Sequence, residues 1–226
     1  MKALIVIPAL NESQTIGSVI HSLPKRLKGV GRIDCLVVDD GSNDQTSKIA
    51  HKAKALVIKH MINRGAGAAT RTGLDYARVN SYDIVVSFDA DGQHNPDDIE
   101  RLIAPIVKKQ ADLVIGSRLK NSQKMPLDRF LLNWAANLMT LMLYGVFSTD
   151  SQSGLRAFSK KSLTCIEISS NRMEFSSEIL LEAKRNKLKV MELPVGAIYT
   201  HYSKTKGQKN TNALPVAFRI VTKFLK

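Results

Sequence analysis

The chain has 226 residues, 44% of them hydrophobic and 6% aromatic, with a formal net charge of +13. That length suits one large domain with a sizeable core. The two cysteines, Cys35 and Cys165, exclude a disulfide framework and a cysteine metal pattern, so a reducing cytoplasm is the default compartment. Few aromatic residues and no nucleic-acid module argue against base stacking. The positive excess is uneven: from Lys184 onward there are ten Lys/Arg and one acid, Glu192. Such a field attracts anions, including phosphorylated substrates and acidic membrane surfaces.

The predicted elements alternate. Residues 3–7 read as an apolar strand, and 13–23 as a helix with Ser13 as its cap. The N-terminal apolar stretch is too short for a signal peptide, and Pro8 breaks it without a cleavage site. A strand at 33–38 ends in Asp39-Asp40-Gly41-Ser42, followed by a helix at 44–53 and a short strand at 56–59. Gly65-Ala66-Gly67 turns into a helix running to about 79, a spacing that close helix packing explains. A strand at 83–88 precedes Asp89-Ala90-Asp91-Gly92-Gln93-His94. Pro96 suits the first turn of a helix through 108. A strand at 112–115 ends at Gly116-Ser117-Arg118. The pattern predicts an α/β fold, an open and mostly parallel sheet with helices on both faces. Ligands of such sheets bind beyond the C-terminal strand ends, where Asn11-Glu12, Asp39-Asp40, Asp89-Asp91 and Arg118 sit.

Beyond Arg118 the alternation loosens. Residues 130–149 carry no formal charge, which approaches the length of a membrane span. Asn133, Asn137, Thr140 and Gly145 favour a buried or interfacial helix instead. A helix at 175–186 and a strand at 189–193 follow. Leu214, Phe218, Val221 and Leu225, with Arg219, Lys223 and Lys226 between them, outline a basic amphipathic helix that either lies on a membrane or packs on the domain.

Asp89 and Asp91 carry the most specific chemistry. Residues two apart in an extended chain share a face, so the two carboxylates converge just past a strand. Close anions repel, and a divalent cation removes that conflict. Mg2+ or Mn2+ prefers hard oxygen ligands, and Mg2+ usually takes one or two carboxylates plus waters and phosphates. Turn capping is the bland alternative. A calcium loop fails because His94 stands where glycine is required. Pro8-Ala9-Leu10-Asn11-Glu12 follows the first strand in place of a glycine-rich turn, which argues against NAD, and no P-loop is present. Asp39 or Asp40 suits a ribose or base. The combination points to a nucleotide-diphosphate donor.

The runs Pro8 to Glu12, Val37 to Ser42, Asp89 to His94, Gly116 to Arg118 and Ser153-Gly154-Leu155-Arg156-Ala157-Phe158 together resemble family 2 glycosyltransferases, and among them the dolichol- or polyprenyl-phosphate sugar synthases. The resemblance implies a GT-A fold and one catalytic domain over 1–226. A nucleotide-sugar part would cover about 1–118, and an acceptor part with the basic C-terminal helix about 119–226. It implies inverting transfer with Mg2+ or Mn2+. Pro8, Leu10, Glu12, Val38 and Asp40 would frame the nucleoside. Asp89, Asp91 and Gln93 would hold the metal, with Ala90 lining the donor site. Arg118, Arg129 and Arg156 would face an acceptor phosphate, Asp150 would lie in the acceptor loop, and Lys206 or Lys209 would clamp donor phosphate.

The nucleophile decides whether a base is needed. A sugar hydroxyl would require Asp150 to take its proton. A phosphate monoester, with a second pKa of about 6, is already anionic, and the arginine content favours it. The expected partners are therefore a nucleotide sugar, a polyprenyl phosphate and an anionic membrane surface at its cytoplasmic face, reached directly or through a separate membrane protein. The alternatives are a same-fold enzyme acting on a glycan hydroxyl and a non-catalytic basic binder of nucleic acid or anionic surfaces.

Overall fold

The computed structural model describes residues 1–121, 125 and 127–198. Strand β1 (Lys2–Ala9) is central because it is apolar on both sides, as a strand covered on both faces must be. Ala3, Ile5, Ile7 and Ala9 enter one core, while Leu4 and Val6 enter the other. The first core lies under α1 (Ile16–Ser22), α2 (Thr46–Lys52) and α4 (Asp98–Val107). The second lies under α3 (Ala66–Val79), α6 (Lys160–Cys165) and α7 (Phe175–Arg185). The remaining strands are β2 (Arg32–Asp39), β3 (Leu56–Lys59), β4 (Ile84–Ser87), β5 (Leu113–Ser117), β6 (Arg156–Ser159) and β7 (Val190–Pro194). They form one seven-stranded sheet in the order β3-β2-β1-β4-β6-β5-β7.

The expected open, mostly parallel sheet is present, with one strand the sequence pattern did not reveal. β6 runs antiparallel to both β4 and β5. It has only four residues and begins with Arg156, so neither alternation nor an apolar run announces it. α6, which follows at once, was likewise not anticipated. The wedge matters because Ser87 pairs with Arg156, which draws the 150–156 loop against the end of β4.

Three boundaries move. The first helix starts at Ile16, with Thr15 in the cap position. Ser13 is not its cap, because it lies two residues before Thr15; its amide donates to Asp44 Oδ2 at 3.1 Å. α4 starts at Asp98, past Pro96. The uncharged segment folds as α5 (Leu127–Tyr144), which begins early enough to include Arg129 and ends at Gly145, where φ is +60°. Among the described residues no helix is long and apolar enough to cross a membrane. The basic C-terminal helix and Lys206 and Lys209 lie outside the described residues. Gly65 and Gly67 serve close packing: a Cβ on either would lie 2.3 Å from a backbone oxygen of Asn171 or Ser170.

The loops after β1 and β2 are joined side by side. Asn11 N donates to Ser42 Oγ and Glu12 N to Thr46 Oγ1, both at 2.8 Å, and Asn43 N donates to Asn11 Oδ1 at 2.9 Å. Asp44 anchors the seam through Ser13 N and Thr46 N. Its partial burial opposes the charge, but the hydrogen bonds from Thr46 and Ser13 outweigh this and lower its pKa to about 2. The folded value lies below the unfolded one, so the stabilisation is complete above about pH 4 and disappears as pH falls toward 2. We predict that Asp44→Ala costs about 1–2 kcal/mol at neutral pH. In urea unfolding the gap from the parent should narrow at pH 3; an equal gap at both pH values would contradict this role.

Candidate active site

β4 ends at Ser87, and Asp89 and Asp91 follow on the sheet's C-terminal edge. Asp89 Oδ2 accepts from Nε2 of the buried His94 at 2.8 Å. His94 packs edge-on against Phe88. Its Nδ1 is buried with no hydrogen-bond partner among the described residues. Behind Asp89 lies Gly154, where a Cβ would stand 2.3 Å from the carboxylate. Any side chain there would push Asp89 away. Ser87 Oγ donates to the Gly154 carbonyl at 2.6 Å and fixes this approach.

The two carboxylates titrate in opposite directions. Burial and the charge of Asp89 push the Asp91 pKa up, with Glu12 adding to the effect. Against the desolvation of its own site, Asp89 is held below the ordinary range by His94, with Arg118 and Arg156 behind it. This is the conflict between near anions that a divalent cation relieves. Among the described residues no group of three or more His, Cys, Asp or Glu is placed to hold a metal. Asp89 and Asp91 offer two hard carboxylates, a set that fits a cation completing its shell with water and phosphate.

Gln93, expected as a third ligand, lies between two neighbours. Its Nε2 donates to Asp91 Oδ2 at 2.5 Å, and its Oε1 accepts from Arg129 NH1 at 3.4 Å. Gln93 thus bridges the carboxylate motif to α5. Arg129 is brought to the metal motif itself.

Arg118 follows β5 and grips Asp150. Its backbone N and Nε reach Oδ2 at 2.9 and 2.8 Å, and NH2 reaches Oδ1 at 2.8 Å. The Asp150 side chain is 0% exposed, while that of Arg118 is 20% exposed. The loop before Asp150 is held by Glu192 on β7, whose carboxylate accepts from Ser148 Oγ at 2.7 Å and Thr149 N at 3.0 Å. The only acid in the basic C-terminal stretch thus anchors the segment bearing Asp150.

Four residues expected to meet ligands have buried side chains. Val38 is fully buried in the second core. Asp40 is turned inward, where its carboxylate accepts from His60 Nδ1 at 2.7 Å, Arg64 N at 3.0 Å and Gly65 N at 2.6 Å. It ties the end of β2 to the loop before α3. Asp39 is 0% exposed and caps its own turn through Ser42 N at 2.8 Å. Arg156 is 1% exposed, and its guanidinium donates to the carbonyls of Ser153, Ser176 and Ser151 at 2.9, 2.8 and 2.7 Å. It does not face an acceptor. Burial lowers its pKa to about 10, so it stays cationic at neutral pH and supports Asp89 and Asp150 from within.

Pro8 is partly exposed and lines a cavity of about 140 Å3 beside Asp89. Leu10 and Glu12 are partly exposed in the same region, and Ala90 is buried. A second, larger cavity of about 390 Å3 lies beside α5, lined by Phe130, Trp134, Leu138, Leu141 and Phe147. The 148–156 segment borders both, contributing Ser148 and Thr149 to one and Gln152 to Gly154 to the other. Gly154, His94 and Glu192 are the contributors that sequence reasoning left without a role. Gly154 and His94 lay inside recognised motifs, but their parts depend on contacts across the sheet.

Comparison with known proteins bears on this arrangement. The family described as "Glycosyl transferase family 2" matches residues 4–175. The UDP-N-acetylglucosamine–dolichyl-phosphate N-acetylglucosaminyltransferase of Methanococcus voltae is 40% identical, with 98% of this chain and 94% of that protein covered. The undecaprenyl-phosphate mannosyltransferase of Micrococcus luteus is 30% identical over 91% of this chain and 87% of that one. Among solved structures, glucosyl-3-phosphoglycerate synthase from Mycobacterium tuberculosis in complex with Mn2+ and UDP-glucose superposes with a TM-score of 0.69. That likeness, at 23% identity over 99% of this chain and 78% of the other, concerns the fold, which is GT-A. With the family matching most of its length, the chain belongs to glycosyltransferase family 2 and is a glycosyltransferase.

Proposed function

We propose that the protein transfers a sugar, with inversion and with a divalent metal, from a nucleotide-diphosphate sugar to the phosphate of a polyprenyl phosphate. The observation that carries this is the Arg118–Asp150 pair. Asp150 is wholly buried and both of its oxygens are held by Arg118. A carboxylate so enclosed is out of reach of an acceptor hydroxyl. The nucleophile must then arrive already deprotonated, as a phosphate monoester does. The relatives named above act on dolichyl and undecaprenyl phosphates, in agreement with this.

The chemistry balances without a base. An oxygen of the acceptor phosphate forms a bond to the anomeric carbon on the face opposite the diphosphate. The bond from that carbon to the diphosphate oxygen breaks, and the nucleoside diphosphate leaves with the electron pair. Mg2+ or Mn2+, held by Asp89 and Asp91, would neutralise charge on the leaving oxygen. The structural neighbour with Mn2+ and UDP-glucose supports the assignment of a metal and a nucleotide sugar. Arg118 and Arg129 gather the acceptor phosphate, since arginine offers paired donors to phosphate oxygens. Asp150 orients Arg118. Gly154 and His94 hold Asp89 in place. Asp40 shapes the nucleoside side by fixing the loop at 60–65, and Lys206 is the candidate clamp on donor phosphate. Residues up to about 118 carry the donor side and those beyond it the acceptor side.

The apolar face of α5 supports a lipid acceptor. Leu127, Leu131, Trp134, Leu138 and Leu141 recur at spacings of four and three, so they form one stripe, and each is at least 39% exposed. Such a helix lies in a membrane interface, and basic residues beside an anionic leaflet add roughly 1 kcal/mol each. We place the protein peripherally at the cytoplasmic membrane face.

Three outcomes are expected. Asp91→Asn should lower turnover by about two to three orders of magnitude while the thermal midpoint stays close to the parent's. Full activity in excess chelator would remove the metal from the account. With one nucleotide sugar, radiolabel should move to an isoprenoid phosphate and not to free saccharides; transfer only to saccharide hydroxyls would overturn the acceptor assignment. Flotation with anionic liposomes should weaken as salt rises, and Trp134→Glu should weaken it further, whereas indifference to both would argue against interfacial docking.

A further inference from the structure

A second apolar projection stands across the sheet from α5. The loop after β3 carries Met61, 100% exposed, and Ile62, 71% exposed. Two adjacent side chains of this size are costly in water unless something covers them. The loop that bears them is tied at both ends. Before the pair, His60 N donates to the Asp39 carbonyl at 2.8 Å, and His60 Nδ1 meets Asp40 Oδ1 at 2.7 Å. After it, the amides of Arg64 and Gly65 donate to the same buried carboxylate. The surroundings are cationic. Arg64 is exposed, and Gly65 packs on Asn171 and Arg172, which brings the exposed Arg172 beside the loop. Residues 60–65 and 169–173 contain no carboxylate. An apolar tip flanked by arginines suits acyl chains beneath anionic headgroups.

The topology relates this tip to the site. β3, β4 and β5 point the same way, so the tip, the Asp89–Asp91 motif and Arg118 share one edge of the sheet. β3 and β5 stand five steps apart, roughly 24 Å at about 4.8 Å per step, with β4 between them. A contact at α5 alone would let the domain tilt on the surface. A second contact across the sheet would hold it with the carboxylates facing the leaflet.

We propose that Met61 and Ile62 enter an anionic leaflet as a second membrane contact, with Arg64 and Arg172 at the headgroups. The inference rests on the peripheral placement above and goes beyond it, because it assigns a surface outside α5 and orients the domain.

Vesicles of equal parts phosphatidylcholine and phosphatidylglycerol test it with the full chain. Trp134 is the only tryptophan, so Ile62→Trp on a Trp134→Phe background reports on the loop alone. Its emission should be that of an exposed indole in buffer and should shift to the blue when vesicles are added. Met61→Ser combined with Ile62→Ser should lower vesicle partitioning at least about tenfold. Arg172→Ala should lower it about fivefold on these vesicles and leave it unchanged on phosphatidylcholine alone. A blue emission before lipid is added would mean that protein covers the tip, from this chain or a second copy, and would overturn the proposal. Unchanged emission while the protein floats with vesicles would also overturn it and leave α5 as the contact. A chain that does not float at all would remove both the proposal and the membrane placement. The acceptor reading is judged apart from these, by transfer of sugar to a water-soluble, short-chain isoprenyl phosphate.

Discussion

The site depends on one buried ion pair. Asp150 has no exposed surface, and its charge is tolerable only because Arg118 meets it with a bidentate guanidinium and a backbone amide. Breaking such a pair by removing one partner leaves an uncompensated buried charge and typically costs 3–5 kcal/mol. The pair also joins two parts of the fold, the end of β5 and the loop leading into β6. Glu192 on β7 holds the same loop from the other side. Three neighbouring strands therefore determine where the Arg118 guanidinium sits, the group to which the proposed function gives the acceptor anion.

The position of Asp89 follows from a second constraint, the antiparallel wedge of β6. Because Ser87 pairs with Arg156, the backbone at Gly154 comes against the Asp89 carboxylate, and only glycine leaves room for it. The buried cation of Arg156 then sits near both acids without touching a ligand. The repulsion between Asp89 and Asp91 remains, and the metal of the proposed function would relieve it. The Arg156 charge thus offsets those of Asp89 and Asp150 together, which partly compensates for its desolvation.

Much of this was legible in the sequence for physical reasons. Alternating apolar runs and helical patterns gave the parallel strands and their helices, because burial on two sheet faces leaves a periodic trace. The convergence of Asp89 and Asp91 followed from strand geometry. β6 was not legible, since four residues starting with an arginine carry no period. The parts played by Asp40 and Arg156 also escaped. A buried carboxylate wrapped by amides and an exposed one that meets a ligand look alike in sequence, and a guanidinium spent on carbonyls looks like one facing phosphate. Ser13 resembled a helix cap, but the helix starts later, at Ile16, and the Ser13 amide donates to Asp44 in a distant loop.

The claim that the acceptor needs no enzymic base is tested most directly by the pH dependence of kcat/KM. With an isoprenoid phosphate the rate should rise through a single limb near the acceptor's second ionisation, about pH 6, and then level off. With the matching isoprenoid phosphonate, whose second ionisation is weaker, that limb should move to higher pH by the difference between the two acceptors. A limb that stays in place when the acceptor is changed would belong to a group on the enzyme and would contradict the account.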